Sequence, residues 1–187
     1  MRIISGLFKG KKILEPTDNK TRPLKDLTKE SIFNIIKHSN KFEIDLINAY
    51  ILDLFSGVGS FGLECLSRGV KKVVFIENYD EVLSVLKKNL SNLKSTQNYK
   101  IFTSNVYSEV TFNNLKDKFD VIFLDPPYKD KKINTLFENI KNYKILNKNG
   151  IIIIHRHKRE KDIFPTGFSV VEEKIYGISK IIILSLN

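Results

Sequence analysis

The chain has 187 residues, 42% hydrophobic and 28% charged, a balance expected of one soluble domain with a sizeable core. A single cysteine, Cys65, excludes an intramolecular disulfide, and no apolar run nears the roughly 18–20 residues of a membrane-spanning helix. The net charge of +10, from 31 basic and 21 acidic residues, points toward an anionic partner.

Residues 1–15 alternate polar and apolar around Gly6 and Gly10, the pattern of a β-hairpin. The opening Met1-Arg2-Ile3-Ile4-Ser5-Gly6 breaks too soon for a signal peptide, so a cytoplasmic location is expected. Residues 16–25 read as a polar loop containing Pro16 and Pro23. A helix is expected from Asp26 to about His38, with Leu27, Ile32, Ile35 and Ile36 as its apolar anchors. Strands and helices then alternate: strand 50–55, helix 60–68, strand 72–77, helix 79–93, strand 100–103, strand 119–124, helix 131–143 and strand 150–155. Such alternation predicts an α/β fold whose parallel sheet is covered on both faces. The tail differs, because Phe168–Ile175 and Lys180–Leu186 are two strands joined by a short turn at Tyr176-Gly177. Cys65, on the helix after the first strand, reads as a buried core thiol.

Charge is uneven along the chain. Residues 1–41 hold ten basic and four acidic side chains, so +6 of the +10 precedes the first strand of the sheet. Lys9, Lys11, Lys12, Arg22 and Lys25 are therefore the candidates for contact with a nucleic-acid backbone. A lysine-rich composition throughout is the competing source of that count.

Two motifs carry the chemistry. In the first, the strand Ile51-Leu52-Asp53-Leu54 runs into Phe55-Ser56-Gly57-Val58-Gly59-Ser60-Phe61-Gly62, and a helix follows. Glycine permits positive φ and close approach of a ligand, and the helix start offers free N–H groups. The pattern also satisfies the dinucleotide fingerprint, so an NAD site is a rival reading. Asp53 argues against it: an anion there is badly placed beside a pyrophosphate and well placed beside a cationic amino acid group. Glu77, ending the next strand, suits ribose hydroxyls. Asn105, after the third strand, suits an adenine edge. In the second motif, Asp125-Pro126-Pro127-Tyr128 ends a strand in a rigid turn. The Asp125 carboxylate and the Pro126 carbonyl can accept two N–H bonds of an exocyclic amine while its ring stacks on Tyr128. His155-Arg156-His157 has no Cys, His or Asp cluster around it, so no metal is expected, and it reads as a basic rim or plain strand-end polarity.

With these residues in view, the chain resembles the class I S-adenosylmethionine-dependent methyltransferases, and within them the RsmD-type 16S rRNA guanine-N2 methyltransferases. The resemblance spans nearly the whole chain, from Arg2-Ile3-Ile4-Ser5-Gly6 through Thr21-Arg22-Pro23, both motifs, and the late Tyr176-Gly177 pair. It departs at Leu24 and Leu27, where the family has Thr and Arg, and at His155, where an acid is usual. The resemblance implies a Rossmann-like, mostly parallel seven-stranded sheet with an antiparallel C-terminal strand. One domain is expected, with a basic hairpin and helix over residues 1–45 and a catalytic core over 46–187. It implies S-adenosylmethionine held by Asp53, Phe55, Ser56, Gly57, Gly59, Glu77 and Asn105, with S-adenosylhomocysteine as product. Asp125, Pro126 and Tyr128 would perform the transfer. The implied substrate is 16S rRNA in an assembling small subunit, met by a monomer. A DNA adenine-N6 methyltransferase shares Asp-Pro-Pro-Tyr but normally carries an extra recognition region. A non-catalytic RNA-binding assembly factor retaining the fold is the other alternative.

Overall fold

The computed structural model describes residues 1–16, 24–94, 97–127 and 130–187. Seven strands form one sheet: β1 (Tyr50–Leu54), β2 (Lys72–Glu77), β3 (Tyr99–Thr103), β4 (Phe119–Leu124), β5 (Leu146–His157), β6 (Phe168–Tyr176) and β7 (Ser179–Leu186). Their order is β3-β2-β1-β4-β5-β7-β6. β1 to β5 pair in parallel, whereas β7 runs antiparallel to both β5 and β6. The helices are α1 (Asp26–His38), α2 (Ser60–Ser67), α3 (Asp80–Ser91), α4 (Glu109–Asn113) and α5 (Ile133–Asn142).

The central strands are apolar throughout because helices cover both faces. Ile51, Phe75, Val121, Phe123, Ile151 and Ile153 enter one core with α1, α2 and α3. Their alternates Leu52, Val74, Ile122, Leu124, Ile152 and Ile154 enter the other, with α4 and α5. In the first core, Phe61 of α2 stacks on Phe123 at 4.0 Å and on Phe33 of α1 at 5.4 Å. That stack fixes α1 and the start of α2 against β4, and Phe61→Ala would cost about 3–5 kcal/mol.

The expected N-terminal hairpin forms around the bridge Arg2↔Lys12, with Ile3, Gly10 and Ile13 N–H groups donating to the Lys11, Ile3 and Met1 carbonyls at 2.9, 2.8 and 3.0 Å. The donors of its turn go to α2. Ile4 and Ser5 N–H groups donate to the buried Glu64 carboxylate at 2.7 and 2.9 Å. Leu7 N–H donates to the Ser67 carbonyl at 2.7 Å. Gly6 has φ +81°, and a Cβ there would stand 1.9 Å from that carbonyl oxygen. Leu27, expected as an anchor of α1, is 68% exposed; Leu24 is buried in its place. Two elements escaped the sequence pattern. α4 is a five-residue turn of helix. β5 begins early, at Leu146, because its pairing with β4 skips from Phe119↔Leu146 to Val121↔Ile151 across the polar Asn147–Gly150 stretch. Among the described residues no helix is long and apolar enough to cross a membrane.

Candidate active site

Strand register assembles the site. β1 lies between β2 and β4, where the chain switches direction across the sheet, and such switch points hold ligands at the strands' carboxyl ends. Leu54 pairs with Ile76 and with Leu124, and Leu124 pairs with Ile154. The next residue on each strand therefore shares one row: Glu77, Phe55, Asp125 and His155.

The turn after β1 is built for close approach. Phe55, Gly57 and Gly59 have φ of 59°, 55° and 86°. For Phe55 this left-handed conformation costs on the order of 1–3 kcal/mol, a strain characteristic of functional loops. Its ring meets Tyr107 edge-on at 5.8 Å. Ser56 is buried and ties β1 to β2: its hydroxyl donates to the Asp53 carbonyl at 2.6 Å and accepts Ile76 N–H at 3.0 Å. Glu77 closes the loop, with Oε2 accepting Gly57 N–H at 2.8 Å and Oε1 accepting Asn78 and Tyr79 N–H groups at 2.9 and 3.0 Å. A carboxylate has about four lone-pair sites, so acceptor capacity remains. Gly62 packs α2 onto the sheet: a Cβ there would meet the Phe75 ring at 2.2 Å.

Asp53 lies beneath this loop with no exposure. Its Oδ2 accepts Gly62 N–H at 3.0 Å, and its Oδ1 has no hydrogen-bond partner among the described residues. Burial pushes its carboxyl well above the usual range, and the charges of Asp125 and Glu77 push the same way. Three acids thus stand within electrostatic reach of one another at this end of the sheet. Such a donor set suits a cation and opposes a pyrophosphate.

Asp125 is held from β5. His155 Nδ1 lies 2.8 Å from Asp125 Oδ1, with the two side chains 8% and 20% exposed. The turn after Asp125 is anchored by the neighbouring side chain. Arg156 is 2% exposed, pairs with Asp162 through Nε and Nη2 at 3.0 Å each, and donates to the Pro127 and Asp130 carbonyls at 3.4 and 3.3 Å. It is a buried brace, not part of a basic rim. Tyr107 adds a short bond from its hydroxyl to Asp130; burial and that carboxylate push its own pKa upward. Pro126 is buried and Pro127 exposed. Tyr128 lies outside the described residues, as does Arg22.

The structure therefore brings Asp53, Phe55, Ser56, Gly57, Gly59, Glu77, Asp125 and Pro126 to one end of the sheet. Asn105 is exposed on the loop after β3, its side-chain carbonyl accepting Tyr107 N–H at 2.9 Å. Lys25 is exposed beside the first turn of α1. Lys9, Lys11 and Lys12 are exposed elsewhere. The turn that carries Lys9 docks on Ser67, and Lys11 Nζ donates to the Asn92 carbonyl just past α3. α2 has eight residues, so that turn stands roughly 12 Å along the helix from the Gly-rich loop. Sequence reasoning missed the His155 contact, the Arg156 brace and Tyr107. Only strand register reveals the first, and no local pattern marks the other two.

Fold and site together define a class I methyltransferase. The sequence profile of the family described as Conserved hypothetical protein 95 matches residues 1–185, and the chain belongs to that family, the RsmD family. The chain is 34% identical to "Ribosomal RNA small subunit methyltransferase D" of Haemophilus influenzae, covering 95% of this chain and 90% of that protein. It is 33% identical to "Putative rRNA methyltransferase YlbH" of Bacillus subtilis, covering 98% and 97%. Among solved structures, "Putative methyltransferase yhhF" from Escherichia coli superposes with a TM-score of 0.81 at 25% identity, over 100% of this chain and 97% of that one.

Proposed function

We propose that the protein is an S-adenosylmethionine-dependent rRNA methyltransferase that modifies the exocyclic N2 of a guanine in 16S rRNA. The observation that carries this reading is the placement of Asp125, backed by His155, one strand from the Gly-rich loop and in the same row as Glu77. The Gly-rich turn over Asp53, Phe55, Ser56, Gly57 and Gly59, with Glu77 and Asn105, would hold the cofactor. When bound, S-adenosylmethionine supplies an activated methyl: the amine lone pair forms the N–C bond, the C–S pair returns to sulfur as a neutral thioether, and one N–H proton is released. The protein's part is orientation. An exocyclic amine is a weak nucleophile because its lone pair is delocalised into the ring. Asp125 and the Pro126 carbonyl accept its N–H bonds, turn the lone pair out of conjugation and aim it. Tyr128 is assigned to stacking the base. The acid row beneath the cleft favours a cationic ligand over a neutral product.

The RNA backbone is assigned to the exposed bases in the loops that leave β4 and β5, Lys131, Lys132, Lys158 and Arg159, and to Lys25 at the start of α1. Lys9, Lys11 and Lys12 are assigned to phosphates farther from the target base, and Arg22, outside the described residues, is assigned to a phosphate. A labelled-methyl assay with small ribosomal subunits, naked rRNA and DNA in parallel tests the reading. Label in N2-methylguanine from subunits or rRNA supports it. Label in DNA adenine would make the protein a DNA methyltransferase. Binding to RNA without transfer to any substrate would make it an assembly factor.

A further inference from the structure

We infer that His155 is a positioning residue for Asp125, fixing which carboxylate oxygen faces the amine; the inference rests on the assignment of Asp125 to the target amine. An ionised carboxylate is acceptor-only, so the 2.8 Å contact places the proton on His155 Nδ1 and directs it at Asp125 Oδ1. One oxygen is then committed to β5 and the other is left for the amine. The pair is well enclosed, since β5 and β7 pair beside it, with His155 opposite the buried Ile181. The hold is local. Arg156, the next residue, is committed to Asp162 and to the Pro127 and Asp130 carbonyls. Lys180 on β7 donates to the Glu160 carbonyl. On β1 and β2 the nearby charged groups are acids, Asp53 two residues before the row and Glu77 in it.

The contact acts on the reaction through orientation: it fixes the plane of the carboxylate and occupies Oδ1, so that Oδ2 is the oxygen that draws on the amine N–H.

The test is kcat, at saturating S-adenosylmethionine and rRNA substrate, for the wild type, His155→Asn, His155→Gln, His155→Leu and Asp125→Ala. Asn places an amide N–H where Nδ1 stands; Gln places it where Nε2 stands. His155→Asn should keep most of the wild-type kcat. His155→Leu should drop kcat roughly 10–100-fold, the scale of losing a hydrogen bond to a charged group, with S-adenosylmethionine affinity within about threefold by calorimetry. His155→Gln should be slow like Leu, and it decides with Asn if His155→Leu fails to fold. An Asn variant as slow as Gln, or a Leu or Gln variant with the wild-type kcat, overturns the inference while an inactive Asp125→Ala leaves the proposed function standing. An active Asp125→Ala overturns both.

Discussion

At the carboxyl ends of β1, β2 and β4, Asp53, Glu77 and Asp125 crowd three acids into one cleft, and exposed lysines and an arginine stand on the loops that leave β4 and β5. At the far end of α2 the arrangement is simpler: Lys9, Lys11 and Lys12 lie on or beside a tight turn packed through Gly6 on Ser67, and the acid beneath it, Glu64, is buried and committed to the Ile4 and Ser5 N–H groups and to Arg68. The first region has negative charge inside and positive charge outside. It can draw a cationic cofactor into the cleft while its rim holds an anionic polymer. The second can only hold a polymer. Charge density alone does not separate these regions; what lies beneath the charge does.

The sharpest way to break the comparison is at Asp125. Asp125→Ala should lower methyl transfer at least ~100-fold, as removal of an oriented electrostatic contact does, and leave S-adenosylmethionine affinity within about twofold. Asp125→Asn should be milder because a carbonyl acceptor remains. Single-turnover transfer and calorimetry separate the two effects, and loss of cofactor binding with the fold intact would move Asp125 out of its assigned place.

Glu77 sharpens it from the cofactor side. Glu77→Ala removes the acceptors proposed for the ribose and also the partner of Gly57 N–H. Cofactor affinity should fall by about 1–3 kcal/mol, with transfer at saturating cofactor largely kept. Unchanged affinity in calorimetry would reduce Glu77 to a brace for the Gly-rich turn.

Much of this region was legible in the sequence because its signals are local. Gly57, Gly59 and Gly62 announce a turn and a close helix contact, and Asp125-Pro126-Pro127 announces a rigid strand end. The strands themselves read cleanly, since a sheet buried on both faces leaves continuous apolar runs. What stayed hidden depends on which strand lies beside which. His155 stands some 30 residues from Asp125 in the chain. Its role appears only when Leu124 is known to pair with Ile154. Arg156 looked like surface charge because a sequence does not show that Asp162 and two loop carbonyls are waiting for it. Leu27 was misplaced because helical spacing fixes a face, and the buried face of α1 centres on Ile32 and Phe33 instead.

Asp53 offers a smaller and opposite pair of effects. Its native pKa is raised by burial, so its protonated form stabilises the fold. That contribution is present below the ordinary carboxylate range and is lost as pH rises through the raised native value. Asp53→Asn keeps the shape and removes the charge. The ligand-free protein should melt a few degrees higher at neutral pH, and the gain should shrink as pH is lowered. Cofactor affinity should weaken at the same time, about three- to tenfold, if the charge serves the cation. Calorimetry and thermal unfolding over a pH series check both. A variant that melts lower at neutral pH would contradict the sign.

The smallest effect on chemistry is expected at the N-terminal turn. Each phosphate contact released lowers the salt slope of binding by somewhat under 1. Neutralising Lys9, Lys11 and Lys12 together should therefore flatten the slope by about 2 and weaken rRNA binding, with kcat at saturating RNA nearly unchanged. The Lys131, Lys132, Lys158 and Arg159 set should flatten the slope by a similar amount and also lower transfer, because those loops adjoin Asp125. The logic is one of position. A phosphate gripped some 12 Å along α2 from the Gly-rich loop adds affinity without steering the target amine, whereas one gripped beside the cleft does both. Filter binding over a salt series, paired with single-turnover rates, reads the two quantities separately. If the triple variant alone slows transfer at saturating RNA, the N-terminal turn reaches the target nucleotide and the two basic regions exchange roles. If its slope is unchanged, its lysines belong to the chain's general lysine richness.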